Sequence, residues 1–417
     1  MGVKGGEFLR RRFENRAILI LTCRIVTPMF LGDAWQEAAL RAAPFKGLLR
    51  YWWRVAAGSR VKDHKELLER ETEFFGGGGE KAQKSLVRIW VEGEVESTKD
   101  VISKKENYVV HPEVDFCPKE CLKENPTCRY KKKADCQKRH EISPFSYLGG
   151  MGLFYSDGFR VRRSYLAPGE SFTLNMGVPE YLLEDNEEAE IFKTALLYFR
   201  AFGAVGSRSR NGWGSFQVEG IEPESCILKL KDGLKGSLPY WKDCFDKPHP
   251  HTLATDHEGK ILLWKAEKFK SWQEALKFLA EVYIYVRTGY VPEEYNWPKK
   301  TKLDPDGTHN IAERHLLGFP LTNHPAVNVG WGKWSQKKNK YVPDARLASP
   351  LRFLVKKYSN IYKVFVLHLP YYLDPKLYSK SNEKVEWISK KQQIEIWQKV
   401  HERLDQAMQR AGINECL

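Results

Sequence analysis

No stretch of this 417-residue sequence approaches the roughly 20 consecutive apolar residues that a membrane-spanning helix requires. The nearest run, Ala17–Val26 (AILILTCRIV), carries Arg24 inside it. Arg10, Arg11 and Arg12 precede that run, but no small-residue cleavage site follows, so an export signal is not expected. Lipidation motifs and basic amphipathic helices are also missing, which removes an anionic membrane surface as partner. There is no GxSxG elbow and no HExxH, which excludes the hydrolase and metalloprotease readings those motifs carry. Gly76–Lys81 (GGGGEK) lacks the glycine-to-lysine spacing of a phosphate-binding loop, and Ala82 stands where its hydroxyl residue belongs. His249, His251 and His257 lie in a proline-rich loop with no cysteines or carboxylate pattern beside them, a poor metal set. These absences point to a cytoplasmic protein.

What is present is a surplus of cations. Lys and Arg number 67 against 53 Asp and Glu, a formal charge of +14. Such an excess creates a positive field whose natural partners are polyanions. With 42% hydrophobic and 29% charged residues, the composition is that of a globular protein. The length suggests two or three domains. Eight cysteines in a reducing compartment favour metal ligation or packing over disulfides.

Along the chain, Ala17–Val26 predicts a central strand. A helix is expected from Phe45 to Gly58, with Leu48, Leu49, Trp52, Trp53 and Ala56 on one side, and a second over Lys65–Phe75. Leu86–Val95 alternates as a strand does. Residues 99–143 are polar, Lys-rich and aperiodic, and read as an insertion. Phe159–Val178 suggests a hairpin turning at Ala167-Pro168-Gly169, Ala189–Phe202 a helix, and Ser215–Ile221 a strand. In the second half, Ile261–Trp264 and Ile361–Leu369 read as strands. Trp272–Arg287 and Glu383–Ala411 read as helices, and Lys302–Asn310 and Trp331–Pro343 as loops. Strands and helices in this alternation give an α+β class of split βαβ type. A boundary near 221–235 gives domains 1–225 and 226–417.

Three segments carry chemistry. In Leu40–Arg54 (LRAAPFKGLLRYWWR), Pro44 suits a first helical turn. The amides of such a turn are unpaired and attract anions. Lys46, Arg50 and Arg54 repeat every four residues and line one face, either as a solvated basic stripe or as phosphate ligands. Arg41 stands at the entry to this helix. In Ala201–Phe216 (AFGAVGSRSRNGWGSF), Gly203, Gly206, Gly212 and Gly214 permit positive φ and close approach of a ligand. Ser207, Ser209, Arg208 and Arg210 add hydroxyls and charge, suiting the loop to phosphates. Trp213 either stacks on an unpaired base or packs within its own domain. The third segment holds Cys117, Cys121, Cys128 and Cys136, with His140 to spare. Four thiols match the tetrahedral demand of a structural zinc, which would stabilise a stretch too polar to fold alone.

Thr27-Pro28-Met29-Phe30-Leu31-Gly32 followed by Leu40–Arg54 resembles the N-terminal signature of RAMP-superfamily CRISPR proteins. The likeness is greatest to the first-named, non-nuclease RAMP subunits of type III-B Cmr complexes. Gly203–Phe216 resembles the superfamily's glycine-rich loop, while Phe145–Arg163 and Arg346–Leu354 (RLASPLRFL) are similar in a less specific way. The resemblance implies two ferredoxin-like (RRM-like) domains, the first with the glycine-rich loop and the cysteine-bearing insertion. It implies a place beside another RAMP subunit near the 3′ end of a guide RNA, where the subunit helps to capture target RNA while another subunit cleaves. The RNA contacts it implies are Lys46, Arg50, Arg54, Gly206, Ser207, Arg208 and Arg210. The aromatic motifs of an RRM sheet face are not evident. A metal-independent RAMP endoribonuclease with a His or Tyr base, and an adaptor contacting only other subunits, are the alternatives.

Overall fold

The computed structural model describes residues 16–35, 37–78, 82–100, 102, 108–113, 141–150, 152–155, 158–220, 238–247, 253–304, 313–318, 333–335, 340–342, 348–373 and 388–410. The first half comprises β1 (Arg16–Ile25), α1 (Ala42–Ala57), α2 (His64–Phe75), β2 (Arg88–Glu92), α3 (Pro144–Gly149), β3 (Ser171–Pro179), α4 (Glu187–Ala201) and β4 (Phe216–Val218). Its antiparallel sheet runs β2–β3–β1–β4. The second half comprises β5 (Leu263–Phe269), α5 (Trp272–Thr288), β6 (Leu351–Tyr358), β7 (Ile361–His368), α6 (Lys390–Ala407) and β8 (Gln409–Arg410), with the sheet order β6–β7–β5–β8. With α2 and α3 set aside, each half is a βαββαβ unit with its first strand beside its third and fourth. That is the ferredoxin-like arrangement expected from the sequence.

Local chemistry explains the element ends. Asp63 caps α2 by accepting from the amides of Lys65 and Glu66, and Asn186 and Ser271 cap α4 and α5 in the same way. Ser389 and Gln392 form a reciprocal capping box at the start of α6. In β1 the residues alternate: Leu21, Cys23 and Ile25 are buried under the helices, whereas Ile18, Ile20, Thr22 and Arg24 are exposed. Trp52 on α1 packs against Tyr198 and Phe202 at centroid distances of 5.6 and 5.4 Å, and Trp53 stacks on Phe74 at 5.6 Å, which fixes α1 against α4 and α2. Cys23 and Cys244 are buried and free, and burial pushes each thiol up to about 12. In the second core His368 Nδ1 lies 2.9 Å from His401 Nε2, with His368 stacked on Trp397. Burial drives His368 down to about 3 and also lowers His401.

The halves join through their edge strands. β4 closes one sheet and β6 the other, and β6 lies along residues 210–217. Phe353 N donates to Arg210 O at 2.8 Å, Val355 N to Ser215 Oγ at 3.2 Å, and Lys357 N to Gln217 Oε1 at 3.0 Å. Between them the fully buried Lys356 Nζ donates to Phe216 O at 2.5 Å. Two unpaired sheet edges are thereby covered.

Several sequence expectations change. The strand within 159–178 exists, but it is not a hairpin. Tyr165–Leu166 pairs with Ser97–Thr98, while β3 pairs with β1 and β2. Trp331–Pro343, read as loop, contains paired strands Lys333–Ser335 and Lys340–Val342. Leu351–Tyr358, seen only as a motif, is a strand whose first six residues are buried at the junction of the halves. Cys117, Cys121, Cys128, Cys136 and His140 lie outside the described residues, as do the boundary region 221–237, His249 and His251. The stretch bearing the cysteines leaves and re-enters through Val109–Val110 paired with Glu141–Ile142. Beside that ribbon, the buried Arg314 holds Glu113 in a bidentate bridge at 2.6 and 3.0 Å.

Candidate nucleic-acid interface

Pro28–Gly32 is the spine on which the predicted site is assembled. Gly214 N donates to Pro28 O and Ser207 N to Phe30 O, both at 3.0 Å. The buried Thr27 Oγ1 donates to Gly212 O at 2.8 Å and accepts from Ser215 N at 3.0 Å. From the other side, Arg41 Nη2 donates to Gly32 O. The glycine-rich loop and the start of α1 are therefore neighbours through one short extended segment. Two glycines are obligatory here. Gly206 has φ +94°, and a Cβ would sit 2.7 Å from Phe30 O; Gly214 has φ +64°, and a Cβ would sit 1.8 Å from Val205 O.

Arg208 occupies the left-handed region with φ 59°, a conformation disfavoured for a side chain of its size. It is exposed, and its guanidinium rests against Gly150 at the end of α3. Arg210 turns inward: Nη1 donates to Ser349 O at 2.6 Å, and its guanidinium lies 5.4 Å from the Tyr51 ring centroid on α1. Arg41 sits at the N-cap of α1 with no side-chain cap to the first-turn amides. Lys46 is half-buried, and burial together with the charge of Arg50 holds its ammonium below the ordinary lysine range.

Two expectations need correction. Arg50 and Arg54 are not free cations: Arg50 Nε and Arg54 Nη1 both donate to Glu71 Oε1 on α2, the latter at 2.8 Å. Glu71 has a side chain 3% exposed, against 37% and 39% for the arginines, so one buried carboxylate offsets two half-exposed guanidinium groups. Trp213 is no stacking platform. It is fully buried among Phe30, Phe145, Phe154 and Trp272, at centroid distances of 5.5 to 6.5 Å, and anchors the loop in the second core.

Surface aromatics lie elsewhere. Trp35 is 82% exposed at the tip of a turn in which Asp33 Oδ1 accepts from the amides of Trp35 and Glu37. Tyr155 is exposed between the guanidinium groups of Arg160 and Arg162, at 5.3 and 5.0 Å. Ser164, two residues beyond Arg162, ties the two loops together by donating to Glu37 Oε2 at 2.8 Å and accepting from Ala38 N at 2.6 Å. The interleaved aromatics and arginines of Phe154–Arg163 were the sequence signal for this rim. Arg352, from RLASPLRFL, is buried with its guanidinium against the Tyr51 and Trp52 rings of α1.

Among the described residues, no group of three or more His, Cys, Asp or Glu is placed to hold a metal ion. No helix of theirs is long and apolar enough to cross a membrane.

Two ferredoxin-like halves, joined edge to edge under a basic glycine-rich loop, define the class of this protein. The family model of the RAMP superfamily matches residues 22–217 of this chain. No curated protein matches it significantly. Among solved structures it is similar to Cmr1 from Pyrococcus furiosus in the apo form, with 16% identity, 88% of this chain and 92% of that chain covered, and a TM-score of 0.39. It is also similar to a chain of a type III-B Cmr-beta complex bound to cognate target RNA, with 14% identity, 94% and 100% covered, and a TM-score of 0.42. A second structure of that complex, with AMPPnP and single-stranded DNA, gives 14%, 94%, 99% and 0.40.

Proposed function

We propose that this chain is a non-catalytic, RNA-binding subunit of a type III-B CRISPR (Cmr) ribonucleoprotein. It holds the backbone of guide or target RNA near the guide 3′ end, beside another RAMP subunit. The observation that carries this reading is the meeting of Arg41 and the Gly206–Arg210 turn on Pro28–Gly32. There an exposed cation on each side flanks an uncapped helix start, an arrangement suited to successive phosphates. The match of residues 22–217 to the RAMP superfamily model and the resemblance of Thr27–Gly32 and Leu40–Arg54 to Cmr subunits support the same assignment. Contacts of this kind carry charge rather than sequence information, so affinity falls steeply with salt.

The test is binding of single-stranded RNA at two salt concentrations, wild type against Arg41→Glu and Arg208→Glu. Both residues are exposed, so both variants should fold. Each should lower affinity and flatten the dependence of log K on log salt, by about 0.7 per lost phosphate contact. Unchanged affinity in both variants removes the proposed interface. Co-expression with guide RNA and neighbouring Cmr-type subunits, followed by RNA crosslinking, tests the assembly: no crosslink to this chain in an intact particle favours a pure adaptor.

A further inference from the structure

We infer that Arg210 and Arg352, whose guanidinium groups converge on the Tyr51 ring where the two halves meet, form a subsite for one backbone phosphate of the bound strand. The inference rests on the RNA-binding reading above and extends it across the junction to a residue of the second half.

Arg352 lies near the start of β6 and is 3% exposed. Its guanidinium stands 4.7 Å from the Tyr51 centroid and 4.9 Å from that of Trp52, so both rings come from α1. Arg210 reaches the same Tyr51 ring from the glycine-rich loop. Arg352 Nε is buried and has no hydrogen-bond partner among the described residues. No carboxylate among them makes an ion pair with Arg352 or Arg210, and the Arg210 side chain donates instead to Ser349 O.

The contrast with other buried cations is informative. Arg314 has Glu113, Arg410 has Asp256 and Asp405, and Arg403 donates to the carbonyls of Val286 and Thr301. The pair at Tyr51 brings the buried Arg352 and the half-buried Arg210 to one ring with no carboxylate ion pair among the described residues. Cation–π contact returns roughly 0.5 to 2 kcal/mol, less than the several kcal/mol lost on dehydrating a charge. Burial holds the Arg352 guanidinium below its ordinary range, and the like charge of Arg210 adds to the effect. An oxyanion between the two would cancel both costs. A phosphodiester fits the donor set, because planar guanidinium groups grip phosphate oxygens in pairs. Arg210 is half-buried, and Arg208, two residues away on the same loop, is exposed.

The experiment uses the full chain with two probes, inorganic phosphate and a uridine homopolymer RNA, on wild type, Arg210→Gln, Arg352→Gln and Arg352→Lys. Phosphate should raise the wild-type melting temperature beyond chloride at matched ionic strength. Both glutamine variants should lose that increment. Each should bind RNA about ten-fold more weakly at low salt, with a salt slope shallower by about 0.7, and Arg352→Lys should recover part of both. If Arg352→Gln fails to fold, Arg210→Gln carries the test, since its half-buried side chain is dispensable for the core. If Arg41→Glu and Arg208→Glu weaken RNA binding while Arg210→Gln changes neither slope nor phosphate response, the subsite is overturned and the RNA reading stands. A phosphate increment lost in the glutamine variants, with RNA binding unchanged in all variants, instead overturns the RNA ligand and leaves a small-anion site.

Discussion

Replacing Glu71 by glutamine keeps the shape of a buried side chain and one acceptor oxygen but removes the charge that Arg50 and Arg54 share. Hydrogen bonds to a charged group contribute about 1.5–3 kcal/mol each. Here both guanidinium groups are more than one-third exposed, and water takes over much of that. The net cost should be about 1–2 kcal/mol, a fall in melting temperature of about 1–2 °C for a chain of this length. RNA binding should move the other way. With Glu71 neutral, a second guanidinium is released to engage a phosphate, and each added contact steepens the salt slope by about 0.7. Affinity should then rise several-fold at low salt and converge with wild type at high salt. Thermal unfolding and RNA titration at three salt concentrations read both effects on the same preparation. A lowered melting temperature with an unchanged slope would show that Arg50 and Arg54 do not face RNA, and the basic face of α1 would then be purely structural.

Gly214→Ala should cost several kcal/mol and disorder the loop, because the new Cβ falls 1.8 Å from Val205 O. Gly220→Ala shares a positive φ of 72° with nothing within 4 Å and should cost only about 1–2 kcal/mol; equal losses on thermal unfolding would refute the clash. His368 stays neutral in the fold down to about pH 3, while the unfolded chain takes up its proton near 6.5, so acid removes stability across that window. The difference in urea unfolding free energy between wild type and His368→Phe should shrink by about 2 kcal/mol from pH 7 to pH 5; a constant difference contradicts the buried neutral imidazole. Metal analysis should find about one zinc per chain held by Cys117, Cys121, Cys128 and Cys136, and its removal by chelation should expose those thiols to alkylation. A purified protein free of zinc with all four thiols reactive sinks the ligand set.

The amphipathic patterns of Ala17–Val26, Phe45–Gly58 and Trp272–Arg287 are local, and the sequence places those elements to within a few residues. Capping residues such as Asp63 and Ser271 act on amides two or three positions away, so helix starts are legible for the same reason. The glycine-rich loop beside a basic helix was visible too, since backbone freedom and charge are properties of residue type. Pairing was not. That β3 joins β1 rather than the turn before it, or that Leu351–Tyr358 covers the loop's edge, depends on contacts over a hundred residues apart. Charge pairing was not legible either. Arg50 and Arg54 repeat at a spacing that suits phosphate, but Glu71 on the next helix claims them, and Trp213 is drawn inward by rings from both halves. Residue type and spacing determined which groups are able to meet an anion. Only the three-dimensional packing decided which of them already have a partner, because burial and neutralisation are set by neighbours that the sequence holds far apart.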